Sequence, residues 1–150
     1  MSIEATRSAD WMMQRDRASA GLGMVVEVNE PGRAVVSMPI RDDMLNGFDI
    51  THGGFVFAVA DTAFAIACND SEALTVAAGA DVSFLATSTT GDVLTAVATA
   101  KATAGRSGIY DVEITNQRGE IVAEFRGRSR RSNLPTPGAL PTPPSSPSKP

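Results

Sequence analysis

The sequence predicts an α+β protein in which a strongly curved antiparallel sheet wraps around a long central helix. Three observations carry this. Between Thr51 and Asn69 the run THGGFVFAVADTAFAIACN is rich in alanine and apolar on every side except at Asp61 and Thr62, so a helix formed there must be buried all round. Four β-rich stretches follow it, near 74–86, 92–104, 107–117 and 120–131. Two β-branched runs precede it. Consecutive strands of this kind pair antiparallel with the helices on one face, and curving the sheet around the helix buries it most completely.

The elements follow in chain order. Residues 10–21, DWMMQRDRASAG, space Trp11, Met12, Arg15, Ala18 and Ser19 at roughly helical intervals and end on Gly21, which predicts one short amphipathic helix. MVVEVNEPGRAVVSMPI then places Pro31 and Gly32 between two strand-like runs, the residues a tight β-turn asks for. After the long helix, turn signals at Thr89-Thr90-Gly91-Asp92, at Gly105 and at Gln117-Arg118-Gly119 divide the four strands.

Length and composition bound the rest. The chain has 150 residues, 43% hydrophobic and 20% charged, which suits one globular domain. Seven of its nine prolines fall after Asn133, where no apolar period could build a core. The expected division is a folded domain over 1–132 and a proline-rich, disordered tail over 133–150. The longest apolar runs are far shorter than the ~20 residues of a membrane span, and MSIEATRSAD does not have the layout of a secretory signal, so a soluble cytoplasmic protein with no membrane role is expected. One cysteine, Cys68, and one histidine, His52, exclude a disulfide framework and a Cys- or multi-His metal cage. A net charge of −4 argues against nucleic acid as partner.

Asp61 does not belong in a core. It sits in AVADTAFA with no charged neighbour within three residues, and an ionised carboxylate buried without a partner is costly. Backbone donors or a distant arginine could hold it as a polar pin; the functional reading is a carboxylate kept for base or nucleophile work. Eight residues upstream His52-Gly53-Gly54 opens the helix, where free N–H groups and the positive end of the dipole form an oxyanion-binding position. Tight packing at a loop entry explains the glycine pair equally simply.

At ~1.5 Å per residue, Gly53 and Asp61 stand about 12 Å apart along the helix, too far for both to act on one carbonyl. Two copies packed antiparallel about a two-fold axis would set Asp61 of each against Gly53 of the other, so a homodimer with composite sites is expected. His52, the only imidazole, could orient substrate or serve the helix entry. Asn46, in MLNGFDITHGG, offers an amide to a carbonyl or water, or stands as a turn residue before Gly47.

With MLNG at 44–47, HGG at 52–54, ADTAFAIACN at 60–69, GDVLTA at 91–96, SGIYDVEITNQ at 107–117 and VAEFRGRSRR at 122–131, the chain resembles the hotdog-fold acyl-CoA thioesterases of the PaaI, phenylacetate-catabolism type. The likeness covers most of 10–131. It implies the hotdog fold, dimers paired into homotetramers, and hydrolysis of acyl-CoA thioesters with no cofactor beyond the coenzyme A of the substrate. It also implies that Asp61 is the catalytic carboxylate and Gly53 the oxyanion donor, with His52 and Asn46 beside them and Thr62 orienting substrate or water. One departure stands out: many relatives carry Arg-Pro where this chain has Ala86-Thr87.

Coenzyme A brings phosphates, and arginine forks suit them. Arg126, Arg128 and Arg130 alternate along a strand and share one face, and Arg106 with Ser107 and Gly108 lies on a turn. A solvated strand face that discourages edge pairing is the plain alternative for the arginine row. Phe48, Phe55, Phe57 and Phe64, with Met44 and Leu45, are candidates for an apolar acyl pocket, and equally for core. Two other functions fit the same residues: a hotdog enoyl- or hydroxyacyl-CoA hydratase-dehydratase using His52, and a non-catalytic acyl-CoA-binding module.

Overall fold

The computed structural model describes residues 7–135 of the chain. The proline-rich segment from 136 onward lies outside them, as do residues 1–6.

The amino-terminal segment forms two helices, α1 (Ser8–Met13) and α2 (Arg17–Gly21), where one was predicted. The break is at Asp16, whose backbone leaves the helical region (φ −77°, ψ 88°) and whose carboxylate accepts from the Ser19 amide, capping a new helix. β1 (Val25–Glu30) and β2 (Arg33–Pro39) form the expected hairpin, closed by Pro31 and by Gly32 at φ 75°. A 3₁₀ turn at Asp42–Met44 and a loop lead into α3 (Gly53–Cys68). Then come β3 (Ala73–Phe84), β4 (Val93–Ala104), β5 (Ser107–Thr115) and β6 (Ile121–Pro135).

All six strands form one antiparallel sheet in the order β1-β2-β4-β5-β6-β3. β3 therefore does not neighbour β4. It crosses to the far edge, pairs with β6, and the loop after Phe84 returns over the start of α3 to reach β4. The Ala73–Pro135 pairing carries β6 three residues past the predicted domain end at 132.

The inner face of the sheet packs on α3. Val36, Met38, Leu94, Ala96, Val112 and Ile114 from the strands meet Val59, Ala63, Phe64 and Ile66 from the helix, all fully buried. Gly127 on β6 is needed there: a Cβ at that position would stand 2.6 Å from the Phe64 ring. This is the hotdog arrangement. One expectation needs correcting, because α3 is not buried on every side: Gly54, Phe57, Ala58, Asp61 and Ala65, at helical spacing, form a stripe that the chain leaves wholly or partly open.

Candidate active site

The site grows out of the start of α3. His52 is its N-cap, with extended backbone (φ −61°, ψ 132°), and its Nδ1 accepts from the Gly54 amide at 2.9 Å. A nitrogen that accepts carries no proton, so a neutral His52 keeps its proton on Nε2. The imidazole thus serves the helix entry and satisfies one of the orphan N–H groups. The neighbouring Gly53 amide finds no acceptor among the described residues, and it carries the positive end of the helix dipole. The Phe84 ring lies over Gly53, 3.0 Å from where a Cβ would be, so glycine permits this close approach.

Two loops wall the space in front of Gly53. Asn46 shapes the first: its Oδ1 accepts from the Phe48 amide at 2.9 Å, and its backbone bonds to Ile50 and Asp49. The turn reading of Asn46 is therefore met by one end of its amide, while the residue also lines the cleft. The second loop is the return from β3. It is tied to the helix entry by the Thr51 amide on the Ser88 carbonyl at 2.8 Å and by the Ser88 hydroxyl on Thr51 Oγ1 at 2.7 Å.

Between them lies a cleft of about 400 Å³, lined by Asn46, Ile50 and Thr51, by Gly53 and Val56 of α3, and by Phe84, Leu85, Ala86, Thr87 and Ser88. None of these side chains is charged. Its volume falls in the range of small-molecule sites, roughly 300–1,000 Å³.

Asp61 is not in this cleft. It stands half-buried on the open stripe of α3, and burial, then the nearby charge of Asp16, pushes its carboxyl above the usual range. It makes no hydrogen bond among the described residues. The pin reading, in which backbone donors or an arginine satisfy it, has no partner there to support it. Thr62 is buried and turned away from the cleft, its hydroxyl 2.9 Å from that of Ser19 on α2.

The other candidates lie elsewhere in the chain. Arg106 sits on the β4–β5 turn and forms no ion pair among the described residues. With Ser107 and Gly108 it borders a small hollow near Cys68, Thr75 and Tyr110. Gly108 has a packing reason of its own, since a Cβ would come within 2.7 Å of Ser129 Oγ. Arg126 and Arg128 share the outer face of the sheet, as their spacing requires. Each is held by a carboxylate on a neighbouring strand: Arg126 by both oxygens of Asp111 at 2.7 and 3.0 Å, Arg128 by Asp81 at 2.7 Å. The guanidinium holds the Asp111 carboxyl below its usual range.

Of the predicted acyl-pocket residues, Met44 and Phe64 are fully buried core, Phe57 packs edge-on against Phe125, and Phe48 is 86% exposed at the loop tip. None of these lines the cleft, and neither do Phe55 and Leu45. The residues that do, Ile50, Val56, Phe84 and Leu85, were missed. The apolar pair Phe84-Leu85 before a turn was a visible signal, but only the crossover of β3 brings it over Gly53.

A hotdog sheet around one helix, with a helix N-terminus opening into a neutral cleft and a single lone carboxylate two turns on, defines a class. The chain belongs to the thioesterase superfamily, whose family description matches residues 48–123. Within it the chain is of the PaaI type, a hydrolase of thioester bonds. It is 41% identical to the acyl-coenzyme A thioesterase PaaI of Escherichia coli over 131 residues, 87% of this chain and 94% of that one. The solved structure of the E. coli PaaI protein from the phenylacetic acid degradation operon superposes with a TM-score of 0.82 at 40% identity, covering 85% and 92% of the two chains. The TT0310 protein of Thermus thermophilus gives a TM-score of 0.75 at 35% identity, over 79% and 99%.

Proposed function

We propose that this protein hydrolyses acyl-CoA thioesters to free acid and coenzyme A, at composite sites each built from the Gly53 amide of one protomer and Asp61 of a second copy. The observation that carries this is the separation of the two groups on α3: the unpaired amide opens into the cleft, and the unpaired carboxylate stands about two turns further along, on the helix stripe the chain leaves open. The similarity to PaaI supports the coenzyme A ester as substrate.

The thioester carbonyl carbon is attacked by a water whose proton passes to Asp61, the oxyanion is held by the Gly53 N–H, and the C–S bond breaks as the carbonyl re-forms. In the alternative order Asp61 attacks first, giving an anhydride and free thiolate, and water then cleaves the anhydride. A raised carboxyl suits a base better than an ordinary one, because a stronger base takes the proton more readily. His52 supports the amide through the cap, and Asn46 presents the free end of its side-chain amide toward the acyl group.

A neutral, largely apolar cleft fits an uncharged acyl group such as phenylacetyl, hydroxyphenylacetyl or a medium chain. Arg106, with Ser107 and Gly108, is free to receive phosphates. Arg126 and Arg128 can join it only by leaving Asp111 and Asp81, and exposed pairs of this kind hold weakly. The unpaired edge of β3, with Val76 and Phe84 exposed, supports pairing of two copies beside the open stripe, and the resemblance extends this to a tetramer.

The test is a panel of aryl and aliphatic CoA thioesters followed by free-thiol release, with the parent and with Asp61→Asn. Loss of at least about a hundredfold in kcat with substrate binding retained is expected; undiminished turnover would remove Asp61 from the chemistry. In a single turnover in labelled water, label found in Asp61 counts against the direct general-base route, because only water attack on the aspartyl carbonyl of an anhydride puts it there.

A further inference from the structure

The hydroxyl of Thr62 belongs to a relay that leads away from the cleft. Ser19 Oγ donates to Asp16 Oδ2 at 2.6 Å and lies 2.9 Å from Thr62 Oγ1. A carboxylate only accepts and a serine has one proton, so Ser19 must accept from Thr62. The relay runs one way, from Thr62 through Ser19 to Asp16. The other oxygen of Asp16 accepts from the Ser19 amide at 2.9 Å.

This relay joins α2 to the turn of α3 that carries Asp61. At five residues α2 is too short to persist without such an attachment. Ser19 and Thr62 are both buried, so breaking their contact would leave a hydroxyl unsatisfied. We propose that Asp16 and Ser19 are positioning residues for Asp61, which through Thr62 hold α2 against this turn, keep water off one side of the carboxylate and fix a second negative charge beside it. The proposal rests on the reading of Asp61 as the reacting carboxylate.

The surroundings single out Asp16 as the charge that matters. Asp81, Asp111, Glu113, Arg126 and Arg128 of the strands stand on the outer face of the sheet, whereas Arg131 of β6 turns inward at the far end of α3 and is held there by Asp70 at 3.3 Å. Arg7, before α1, reaches the far end of α3 at the carbonyls of Ile66 and Asn69. Cys68 on α3 and Tyr110 on β5 lie toward that end too; both are pushed up to about 12 by burial first, so they are uncharged at neutral pH. Asp16 thus acts with burial to make Asp61 a stronger base.

Three variants test this by kcat, KM and the pH profile of kcat/KM on a CoA thioester, with urea melts to confirm folding. Asp16→Asn keeps a good N-cap but removes the charge. It should move the acid limb to lower pH and lower the plateau rate. Ser19→Ala should lower kcat about tenfold with KM within about twofold, and Ser19→Thr should restore it. Acid limb and kcat at parental values in folded Asp16→Asn and Ser19→Ala overturn the proposal, as does a loss of stability alone. Should Ser19→Ala fail to fold, Asp16→Asn decides. If Asp61→Asn is inactive while these variants match the parent, only the positioning role fails; if Asp61→Asn turns over normally, the reading of Asp61 fails with it.

Discussion

At the scale of single residues, Asp61 is legible from sequence because its type contradicts its surroundings: a lone carboxylate in an alanine-rich run has to be explained, and the structure leaves it without a hydrogen bond among the described residues. The partners of the arginines were not legible. Asp81 and Asp111 meet Arg128 and Arg126 only through the register of three strands, which local sequence does not specify. The raised carboxyl of Asp61 has a consequence for stability. The fold favours its protonated form, so between the ordinary value near 3.8 and the raised one the native chain binds more protons than the unfolded chain. Unfolding free energy therefore falls as pH rises through that window, and the loss is complete above it. Asp61→Asn, neutral and of similar size, should melt later in urea than the parent at pH 7, with the gap closing as pH drops below 3.8. A parent more stable than the variant at pH 7 would mean that the carboxylate has a favourable partner.

Among the elements, those set by local chemistry were legible and those set by long-range pairing were not. The β1–β2 hairpin follows from Pro31 and Gly32, and α3 from its alanine content and length. The division of the amino-terminal segment into α1 and α2 had a local signal in Asp16 three residues before Ser19, but helical spacing across the break masked it. Nothing in ALTVAAGADVSF says that β3 should pair with β6 instead of the next strand, and the cleft depends on that crossover. The pairing of β6 with the sheet also places Gly127 under Phe64, whose ring is held between Tyr110 and Phe125 at centroid distances of 5.6 and 5.8 Å. The ring has no room to withdraw. Gly127→Ala should cost about 1–3 kcal/mol of stability through overpacking, read as a lower urea midpoint at unchanged slope. Combining it with Phe64→Leu should return part of the loss, because the two changes share one space.

For the whole molecule, the distance between Gly53 and Asp61 turns the composite site into a question of stoichiometry. Gly53→Pro removes the amide hydrogen while keeping α3, because proline is well tolerated at the first helical position and His52 already has the extended backbone that precedes a proline. The added ring atoms press on Phe84, which is 55% exposed and free to shift. Each of Gly53→Pro and Asp61→Asn, alone, should lower kcat by about 10²–10³ or more. In a mixed dimer one site receives the native glycine from the Asp61→Asn chain and the native aspartate from the Gly53→Pro chain, and the other site receives both defects. Co-expressing the two chains under separate tags and purifying the doubly tagged species should therefore restore about half of the parental kcat per dimer. If each chain built its own site from its own Gly53 and Asp61, every site in the mixed species would carry one defect, and activity would stay at the level of the single variants. Recovery in the doubly tagged fraction, absent when the separately purified variants are mixed just before assay, ties the activity to two copies sharing each site.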